Sequence, residues 1–297
     1  MLNKIKRYLL RRYYIVGICE HTDDIYNSVG DVNAVKWIKY PGYKKNWIAD
    51  PFILTADKNT ITFFAEEWVD KNQKGRLVKL IVNRKKLKVI DKSIILELDT
   101  HLSYPIIYRE GNDIYVYPEN AESGLLNIYK YNVTTDKLEN PIAIIKEPLL
   151  DTVIRKIDGV YYAFGVKYLT GQQKDTKTLE IYKSNTLLGS YEHFQTIENA
   201  LCHERGAGDI AVINNTLIRP TQNCEGDYGL NVIFNKLVFD DFQFKETEIG
   251  KLLPCSNKPE GLHTYNAYEN IAIIDSIAYS CGNVFTIIKK IKRKIYG

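Results

Sequence analysis

The sequence has few cysteines and lacks the short motifs by which many proteins bind a metal or a nucleotide. Its five cysteines are odd in number, and none forms a Cys-x-x-Cys pair. This spacing argues against a zinc site or a disulfide framework and favours a reducing compartment. No Asp-x-Asp pair, Walker loop, His-Glu-x-x-His segment or serine nucleophile elbow is present, and Gly206 and Gly208 have no third glycine that would complete a dinucleotide fingerprint. No nucleotide cofactor and no motif-bound metal are therefore predicted.

Long apolar runs are also absent. No stretch approaches the about 18 uninterrupted apolar residues that would span a membrane. The N-terminus is basic, but it has no apolar core and no small-residue cleavage site of the kind found in a secretory signal. The expected localisation is therefore cytoplasmic.

Acidic residues are missing from both ends of the chain. Residues 1–14 and residues 283–297 each carry five basic residues and no acidic one. The chain has a formal net charge of +4, so the +10 on the two ends leaves −6 for the body. Basic charge confined to the ends argues against a nucleic-acid groove across the body.

One structural unit recurs along the body: a short strand, a turn rich in Asp, Asn or Gly, and a second strand that ends in polar residues. Its five copies open at Asp50, Tyr104, Asp151, Asp209 and Thr264. The steps between them are 54, 47, 58 and 55 residues, which is the size of a four-stranded propeller blade. Helical periodicity is almost absent from this region. We therefore predict an all-β fold, a five-bladed β-propeller over residues 15–282. A large β-sandwich is the alternative, but it gives no reason for a repeat at this interval.

The two basic ends are predicted to be short amphipathic helices. Apolar residues recur three or four positions apart in residues 1–14 and in residues 283–297, with basic residues between them. Basic amphipathic helices bind anionic membrane surfaces. The alternative is a solvated helix packed against the outside of the propeller.

Polar residues cluster at the ends of the repeated hairpins. In a propeller the equivalent ends of the innermost strands converge on one mouth of the central channel, so positions that are distant in sequence form one pocket. We predict Asp50, Glu119 and Asp151 as catalytic carboxylates in this pocket. A buried carboxylate is costly unless it is paired or hydrogen-bonded, which favours a functional role for Asp50 over a turn cap. For Asp151, a simple turn residue is the alternative.

The predicted substrate-binding residues are Glu66, Tyr104, His203, Arg205, Asp209, Arg219, Gln222 and His263. The two arginines are suited to grip a phosphate or carboxylate with paired hydrogen bonds, or else to pair with a glutamate inside blade four. The histidine at 263 fits a proton carrier, an axial ligand or a satisfied core histidine. The sequence is compatible with a calcium ion or a water molecule at the propeller axis.

Several of these segments resemble a known family. Ala49-Asp-Pro-Phe52, followed by Phe63-Phe-Ala-Glu-Glu67, resembles the first blade of the five-bladed propellers of glycoside hydrolase family 43. The resemblance is closer to one branch, the N-terminal domain of the glucosamine inositolphosphorylceramide transferases and its stand-alone bacterial relatives. The supporting segments follow in blade order: His101-Leu-Ser-Tyr-Pro105, Tyr117-Pro-Glu119, Leu150-Asp151, Ile218-Arg-Pro-Thr-Gln-Asn223 and Gly261-Leu-His-Thr264.

The family 43 resemblance implies three working carboxylates from successive blades: an Asp base, an Asp that tunes acidity and a Glu acid. Asp50 matches the base. Tyr104-Pro105 stands where the second Asp-Pro would be, which leaves Glu119 or Asp151 for the remaining roles. This departure argues against plain glycoside hydrolysis, whereas the transferase branch implies sugar transfer onto a lipid or polysaccharide acceptor.

The favoured function is a membrane-associated glycosyltransferase of cell-surface polysaccharide or glycolipid assembly, located at the inner membrane surface. Its expected partners are a carbohydrate or activated-sugar substrate, a lipid-linked acceptor and an anionic membrane surface, without nucleic acid. The alternatives are a glycoside hydrolase of the family 43 type and a non-catalytic glycan-binding propeller.

Overall fold

A computed structural model describes residues 10–32, 34–44, 46–169, 176–198, 205–224, 229–254 and 260–281. Its strands form five separate sheets. Each predicted repeat opening lies in, or shortly before, the innermost strand of a different sheet. The five-bladed propeller is therefore confirmed.

Three strands precede the first complete blade: β1 (Leu10–Glu20), β2 (Val29–Asp31) and β3 (Lys36–Trp37). Blade 1 comprises β4 (Ile48–Ala56), β5 (Thr60–Val69), β6 (Lys74–Asn83) and β7 (Lys88–Leu96). Blade 2 comprises β8 (Ser103–Glu110), β9 (Asp113–Glu119), β10 (Leu126–Asn132) and β11 (Lys137–Ile145).

Blade 3 comprises β12 (Leu150–Ile157), β13 (Val160–Leu169), β14 (Thr176–Ser184) and β15 (Glu192–Glu198). Blade 4 comprises β16 (Ala211–Ile213), β17 (Thr216–Asn223), β18 (Asn231–Asp240) and β19 (Gln243–Leu253), and β2 adds to its outer edge in parallel. Blade 5 begins with β20 (Thr264–Tyr268) and β21 (Ile271–Cys281).

Blade 5 joins the two ends of the described chain. Its strand order is β20, β21, β1 and β3, and β1 pairs with β21 over its whole length, from Leu10 opposite Cys281 to Glu20 opposite Ile271. A ring of blades closed in this way leaves only short strand edges unpaired. The closure also brings β1 beside the inner strand of blade 1, where it contributes to the functional site.

The inner strands of the first three blades share a local distortion near the mouth of the channel. Asp50, Tyr104 and Asp151 have φ angles of 50°, 49° and 45°, in the left-handed region that non-glycine residues seldom adopt. Each lies at a shift in the pairing register between the first two strands of its blade. Bulges of this kind redirect side chains and are common beside active sites.

Helices are a minor part of the described residues. Three short 3-10 segments occur, at Asp23–Asn27, Pro41–Lys44 and Ala121–Ser123. Within the described residues, no helix is both long and apolar enough to cross a bilayer.

The predicted terminal helices fall mostly outside the described residues, which omit residues 1–9 and 283–297. Residues 10–14, which the sequence analysis assigned to the N-terminal helical segment, are part of strand β1. These residues pair with β21 as part of a strand. The propeller therefore begins at Leu10 rather than at residue 15.

Candidate functional site

A cavity of about 280 Å³ opens at the mouth of the channel where the inner strands begin. Five predicted site residues line it: Asp50, Glu66, Glu119, Arg205 and His263. They come from blades 1 and 2, from the segment before blade 4 and from the start of blade 5. The convergence of distant positions on one pocket follows from the propeller fold.

Asp50 lies in a buried ion-pair cluster with His263 and Asp275. The His263 Nδ1 atom is 3.0 Å from Asp275 Oδ2 and 3.2 Å from Asp50 Oδ1. The second Asp50 oxygen accepts a hydrogen bond from the backbone N–H of Tyr104 at 3.2 Å. Burial raises the pKa of Asp50, whereas His263 opposes this increase. Asp50 Oδ1 is buried and faces the His263 ring, which stabilises the charged form of Asp50.

Asp275 holds this cluster together. Its Oδ1 atom accepts hydrogen bonds from the Thr264 N–H at 2.8 Å and from the Thr264 hydroxyl at 2.6 Å. Its Oδ2 atom accepts the Asp50 N–H at 3.1 Å and faces His263. Asp275 is fully buried and links the last blade to the first. Both of its carboxylate oxygens are therefore already satisfied.

Asp50, His263 and Asp275 are also the candidate metal ligands of the described part of the chain. Their ligand atoms lie close enough together to hold a metal ion. Calcium prefers six to eight oxygen ligands. Here one donor is an imidazole nitrogen that already faces two carboxylates, and the Asp275 oxygens already accept hydrogen bonds. The donor set therefore does not fit calcium, and no chemical step is assigned to a metal.

Glu66 is a buried carboxyl group on β5, the strand that pairs with the Asp50 segment of β4. Its Oε1 atom is buried without a hydrogen-bond partner and lies 3.8 Å from His101 Nε2. Burial, reinforced by the nearby Asp50 and Glu119, holds the pKa of Glu66 well above its usual range. Burial therefore favours the protonated form of Glu66, which can donate a hydrogen bond into the cavity.

His101 is oriented by the backbone beside it. The Gly75 N–H donates to His101 Nδ1 at 2.8 Å, which places the imidazole hydrogen on Nε2, towards Glu66. Burial lowers the pKa of His101, so the ring is neutral at physiological pH.

Gly75 leaves the space that Glu66 occupies. A Cβ atom at position 75 would lie 2.4 Å from the Leu102 carbonyl oxygen and 2.5 Å from Glu66 Oε1.

We expect Gly75→Ala to lower the free energy of unfolding by about 1–3 kcal/mol, the usual cost of overpacking, and to displace Glu66. Chemical denaturation measures the first effect. Gly30→Ala is the matched control, because a Cβ there meets nothing within 4 Å. Equal stability of the two variants would contradict this packing.

Glu119 and Arg205 form a second charged group in the pocket, together with Asp151, a predicted catalytic carboxylate that binds Arg205 and is not part of the pocket lining. Arg205 binds Asp151 with two hydrogen bonds, at 2.5 Å and 2.8 Å, and its Nη2 atom lies 3.5 Å from Glu119 Oε2. The Ser103 hydroxyl donates to the same Glu119 oxygen at 3.0 Å. Burial raises the pKa of Glu119 to about 7, against the opposing effect of Arg205. Glu119 can therefore lose and regain a proton near neutral pH.

An aromatic wall faces these carboxyl groups. Trp47 and Trp68 stack with ring centroids 5.3 Å apart and planes inclined by 3°. Tyr14 packs against both Trp47 and His263, with centroids 5.0 Å apart in each pair. Flat aromatic faces beside hydrogen-bonding carboxyl groups suit a sugar, which has apolar C–H faces and polar edges.

Two predicted substrate-binding residues have other contacts. Arg219 is buried and binds Glu246 through both Nε and Nη2, the latter at 2.9 Å from Glu246 Oε2. Gln222 is also buried, and its side chain donates to the Gly206 carbonyl oxygen at 2.7 Å. Neither lines the pocket. For Arg219 the structure thus shows the alternative that the sequence left open, a pair with a glutamate inside blade 4, rather than a group that grips a phosphate.

Tyr104 and Asp209 also lie away from the pocket lining. The Tyr104 ring is buried, and its hydroxyl accepts the Gly208 N–H at 2.6 Å and lies 2.9 Å from the Gly208 carbonyl oxygen. Asp209 forms an ion pair with Arg155. These contacts tie the inner strands together rather than contact a substrate. His203 lies outside the described residues.

Four residues of the pocket lining were not predicted from the sequence: Tyr14, Trp47, Trp68 and His101. Trp47 stands just before the Asp50 segment and Trp68 just after Glu66-Glu67, so proximity to predicted carboxylates was an available signal. Tyr14 had no comparable signal, because it reaches the pocket only through the pairing of β1 with β21.

A larger cleft of about 680 Å³ lies elsewhere, beside β1, β2 and β3. Its walls are largely apolar, with Ile18, Ile25 and Leu252 among the lining residues, and it includes none of the predicted site residues. The mouth pocket is the candidate site because it combines titratable groups with shifted pKa values and an aromatic wall.

Solved structures of glycoside hydrolases share the fold. A family 117 glycoside hydrolase from Zobellia galactanivorans aligns with a TM-score of 0.52 and 9% identity, over 88% of this chain and 90% of that one. An exo-β-1,3-galactanase from Phanerochaete chrysosporium, solved with galactose, aligns with a TM-score of 0.53 and 10% identity, over 78% of this chain and 62% of that one. At these identities the likeness concerns the fold alone.

Curated proteins are more similar in sequence. The chain is 27% identical over 273 residues to glucosamine inositolphosphorylceramide transferase 1 of Arabidopsis thaliana, covering 82% of this chain and 34% of that protein. It is 29% identical over 202 residues to the protein of the same name from Oryza sativa subsp. japonica, covering 66% of this chain and 27% of that protein. The chain thus spans about a quarter to a third of the length of these relatives.

The family model described as "Glucosamine inositolphosphorylceramide transferase 1, N-terminal" matches residues 26–287, which include all five inner strands and every described wall of the pocket except Tyr14. The resemblance predicted from the blade segments is therefore confirmed, and the chain belongs to the family of glucosamine inositolphosphorylceramide transferase 1 N-terminal domains.

Proposed function

We propose that this propeller is a carbohydrate-active enzyme that transfers a glycosyl group in the assembly of cell-surface polysaccharide or glycolipid. The observation that carries the proposal is the pocket itself. Three carboxyl groups with raised pKa values, Asp50, Glu66 and Glu119, stand around a cavity walled by stacked tryptophans. The curated relatives are named as transferases, which favours transfer over other carbohydrate chemistry.

In the proposed reaction Asp50 accepts the proton of the attacking hydroxyl while Glu119 protonates the oxygen of the leaving group. The bond from the anomeric carbon to the leaving oxygen breaks, and a bond to the acceptor oxygen forms. Asp50 suits the role of base because His263 stabilises its charged form. Glu119 suits the role of acid because its pKa of about 7 matches neutral conditions. Glu66, in its protonated form, hydrogen-bonds the sugar.

Two pocket carboxyl groups can bind a sugar that carries an amine. Asp50, whose charged form is stabilised by His263, and Glu119, which loses its proton near neutral pH, both line the cavity, and the guanidinium of Arg205 is already paired with Asp151. A protonated amine would replace water at these carboxyl oxygens. The name of the plant relatives includes glucosamine, an amino sugar, which agrees with this preference.

Hydrolysis is the second candidate. The same base and acid would act with water as the nucleophile. The observation in its favour is the pairing of Arg205 with Asp151, together with the engagement of Arg219 by Glu246, since neither arginine then stands ready for the phosphate of an activated sugar. A non-catalytic glycan-binding propeller is the third candidate, and it would keep its affinity when Glu119 is replaced.

We also propose that the protein is peripheral at the cytoplasmic side of a membrane. The support is the charge distribution, with five basic and no acidic residues in each terminal segment and −6 in the body. Each basic residue near an anionic surface contributes about 1 kcal/mol of attraction.

Sugar binding is tested by tryptophan fluorescence, since two of the three tryptophans form the pocket wall. We expect glucosamine to bind about tenfold more tightly than N-acetylglucosamine or glucose, because a charge-assisted hydrogen bond contributes about 1.5–3 kcal/mol. The Trp37→Phe variant serves as the control, because it removes the tryptophan that is not in the pocket. Equal affinities would remove the amino-sugar preference, and no binding of any sugar would remove the proposed site.

A further inference from the structure

Both ends of the described propeller lie on the face that carries the pocket mouth. Strand β20 starts at Thr264, next to His263, and runs away from the mouth. Strand β21 returns, pairs Asp275 with Thr264, and continues for six more residues to Cys281. Strand β1 begins at Leu10, directly opposite Cys281.

Residues 10–15 and 276–281 therefore form a two-stranded extension, here called the terminal ribbon, that passes the level of the pocket carboxylates. At about 3.3 Å per residue, six residues correspond to roughly 20 Å. The ribbon flanks the pocket directly, since Tyr14 contacts both Trp47 and His263. Its partner on the other side is the β5–β6 turn, to which Arg11 is joined by an ion pair with Asp70 at 2.5 Å.

The basic charge of the chain is attached to this ribbon. Arg11 and Arg12 lie in it, residues 1–9 carry three more basic residues, and residues 282–297 carry five, with no acidic residue in either segment. The rest of the chain sums to −6. The positive charge therefore joins the fold at one face, which gives the molecule a preferred orientation towards an anionic surface.

We propose that the face bearing the pocket mouth and the terminal ribbon is the one that docks on an anionic lipid bilayer. The chemistry of this partner follows from charge complementarity with the basic residues of the ribbon and of the chain ends attached to it. Screening limits the attraction to about 8–10 Å, so the basic residues must come close to the lipid headgroups.

This orientation concerns access to the same pocket, and in that respect it rests on the proposed function. Tyr14, at the pocket wall, is four residues from Leu10 at the tip of the ribbon, or roughly 13 Å along the strand. The pocket would then receive a sugar that stands away from the bilayer on a membrane anchor.

The test uses the native chain and its exposed lysines as position markers. Lys71, in the β5–β6 turn, and Lys146, after β11, lie on the mouth face. Lys58, Lys85 and Lys86 lie in turns at the opposite ends of the blade 1 strands. The protein is acetylated with an amine-reactive reagent, alone, with phosphatidylcholine vesicles, and with vesicles that also contain phosphatidylglycerol. Mass spectrometry then gives the extent of modification at each lysine.

We expect phosphatidylglycerol vesicles to reduce acetylation of Lys71 and Lys146 severalfold, and high salt to restore it, while the three opposite lysines are unchanged. Protection of the opposite lysines, equal protection of both faces, or failure of the protein to bind these vesicles would each overturn the proposal. The proposed catalytic function is judged separately by binding of soluble sugar, which needs no vesicles, so that loss of one does not imply loss of the other.

Discussion

Replacing Asp275 by alanine is expected to lower the free energy of unfolding by about 3–5 kcal/mol, the usual effect of removing one partner from a buried ion pair. Asp275 is fully buried and accepts hydrogen bonds from Thr264, from the Asp50 N–H and from His263. The substitution leaves these donors without an acceptor in the interior, and each buried, unsatisfied group costs about 1–3 kcal/mol. It also loosens the contact between the last blade and the first.

Urea denaturation followed by circular dichroism measures this effect. Asp91→Ala is the control, because Asp91 is exposed on the outer strand of blade 1, where a surface substitution changes stability by about 0.5 kcal/mol or less. A loss of the same small size in Asp275→Ala would mean that the cluster does not hold the ring closed. Sugar binding should weaken along with stability, because Asp50 loses the group that receives its N–H.

The architecture was predictable because a propeller is a repeat. Each blade is one four-stranded unit, so the recurrence of a hairpin at Asp50, Tyr104 and Asp151 indicates both the number of blades and the position of each inner strand. Convergence at one mouth then follows from symmetry, which is why Asp50, Glu66 and Glu119 were identified as neighbours although they come from different strands.

Side-chain partners were less predictable because they depend on strand register. Arg219 was expected to bind a phosphate or a glutamate of blade 4, and its partner Glu246 comes from β19, two strands away in the same sheet. No local pattern in β17 reveals which residue of β19 lies within reach. One register shift in the pairing of β18 with β19, and two in the pairing of β10 with β11, show that registers also change within a blade.

The position of β1 in the last blade explains why Tyr14 was not predicted as a pocket residue. Tyr14 comes from the N-terminal segment that the sequence analysis treated as a separate basic helix, because its charge pattern resembles an amphipathic one. Pairing of β1 with β21 is a contact between residues more than 250 positions apart in sequence. Amphipathic spacing over so short a stretch does not distinguish a helix from a strand that completes a distant sheet.

Glu119→Gln is expected to reduce turnover by about a hundredfold to ten-thousandfold, the contribution of a general acid. Turnover is measured as sugar released from, or transferred out of, nitrophenyl glycosides and activated sugars. The glutamine has the same shape and can still accept the hydrogen bond from the Ser103 hydroxyl, but it has no proton to give. Glu269→Gln, at an exposed turn of blade 5, is the matched control and should leave turnover unchanged.

The pH dependence separates a lost proton donor from a damaged pocket. The pKa of Glu119 is about 7, because burial, with Asp151 and Asp50 nearby, outweighs Arg205 and Ser103. Native activity should therefore fall as the pH rises through about 7, and the small residual activity of Glu119→Gln should lack this decrease.

The raised pKa of Glu119 also means that its protonated form stabilises the fold. This stability is fully present below the unfolded-state pKa of 4.5 and is lost as the pH rises through about 7. Glu119→Gln stays neutral, so its free energy of unfolding should exceed that of the native protein increasingly between about pH 5 and about pH 8. A variant that is more stable at alkaline pH and yet inactive would assign Glu119 to the chemistry. A variant that keeps native turnover would show that Glu119 is not the general acid.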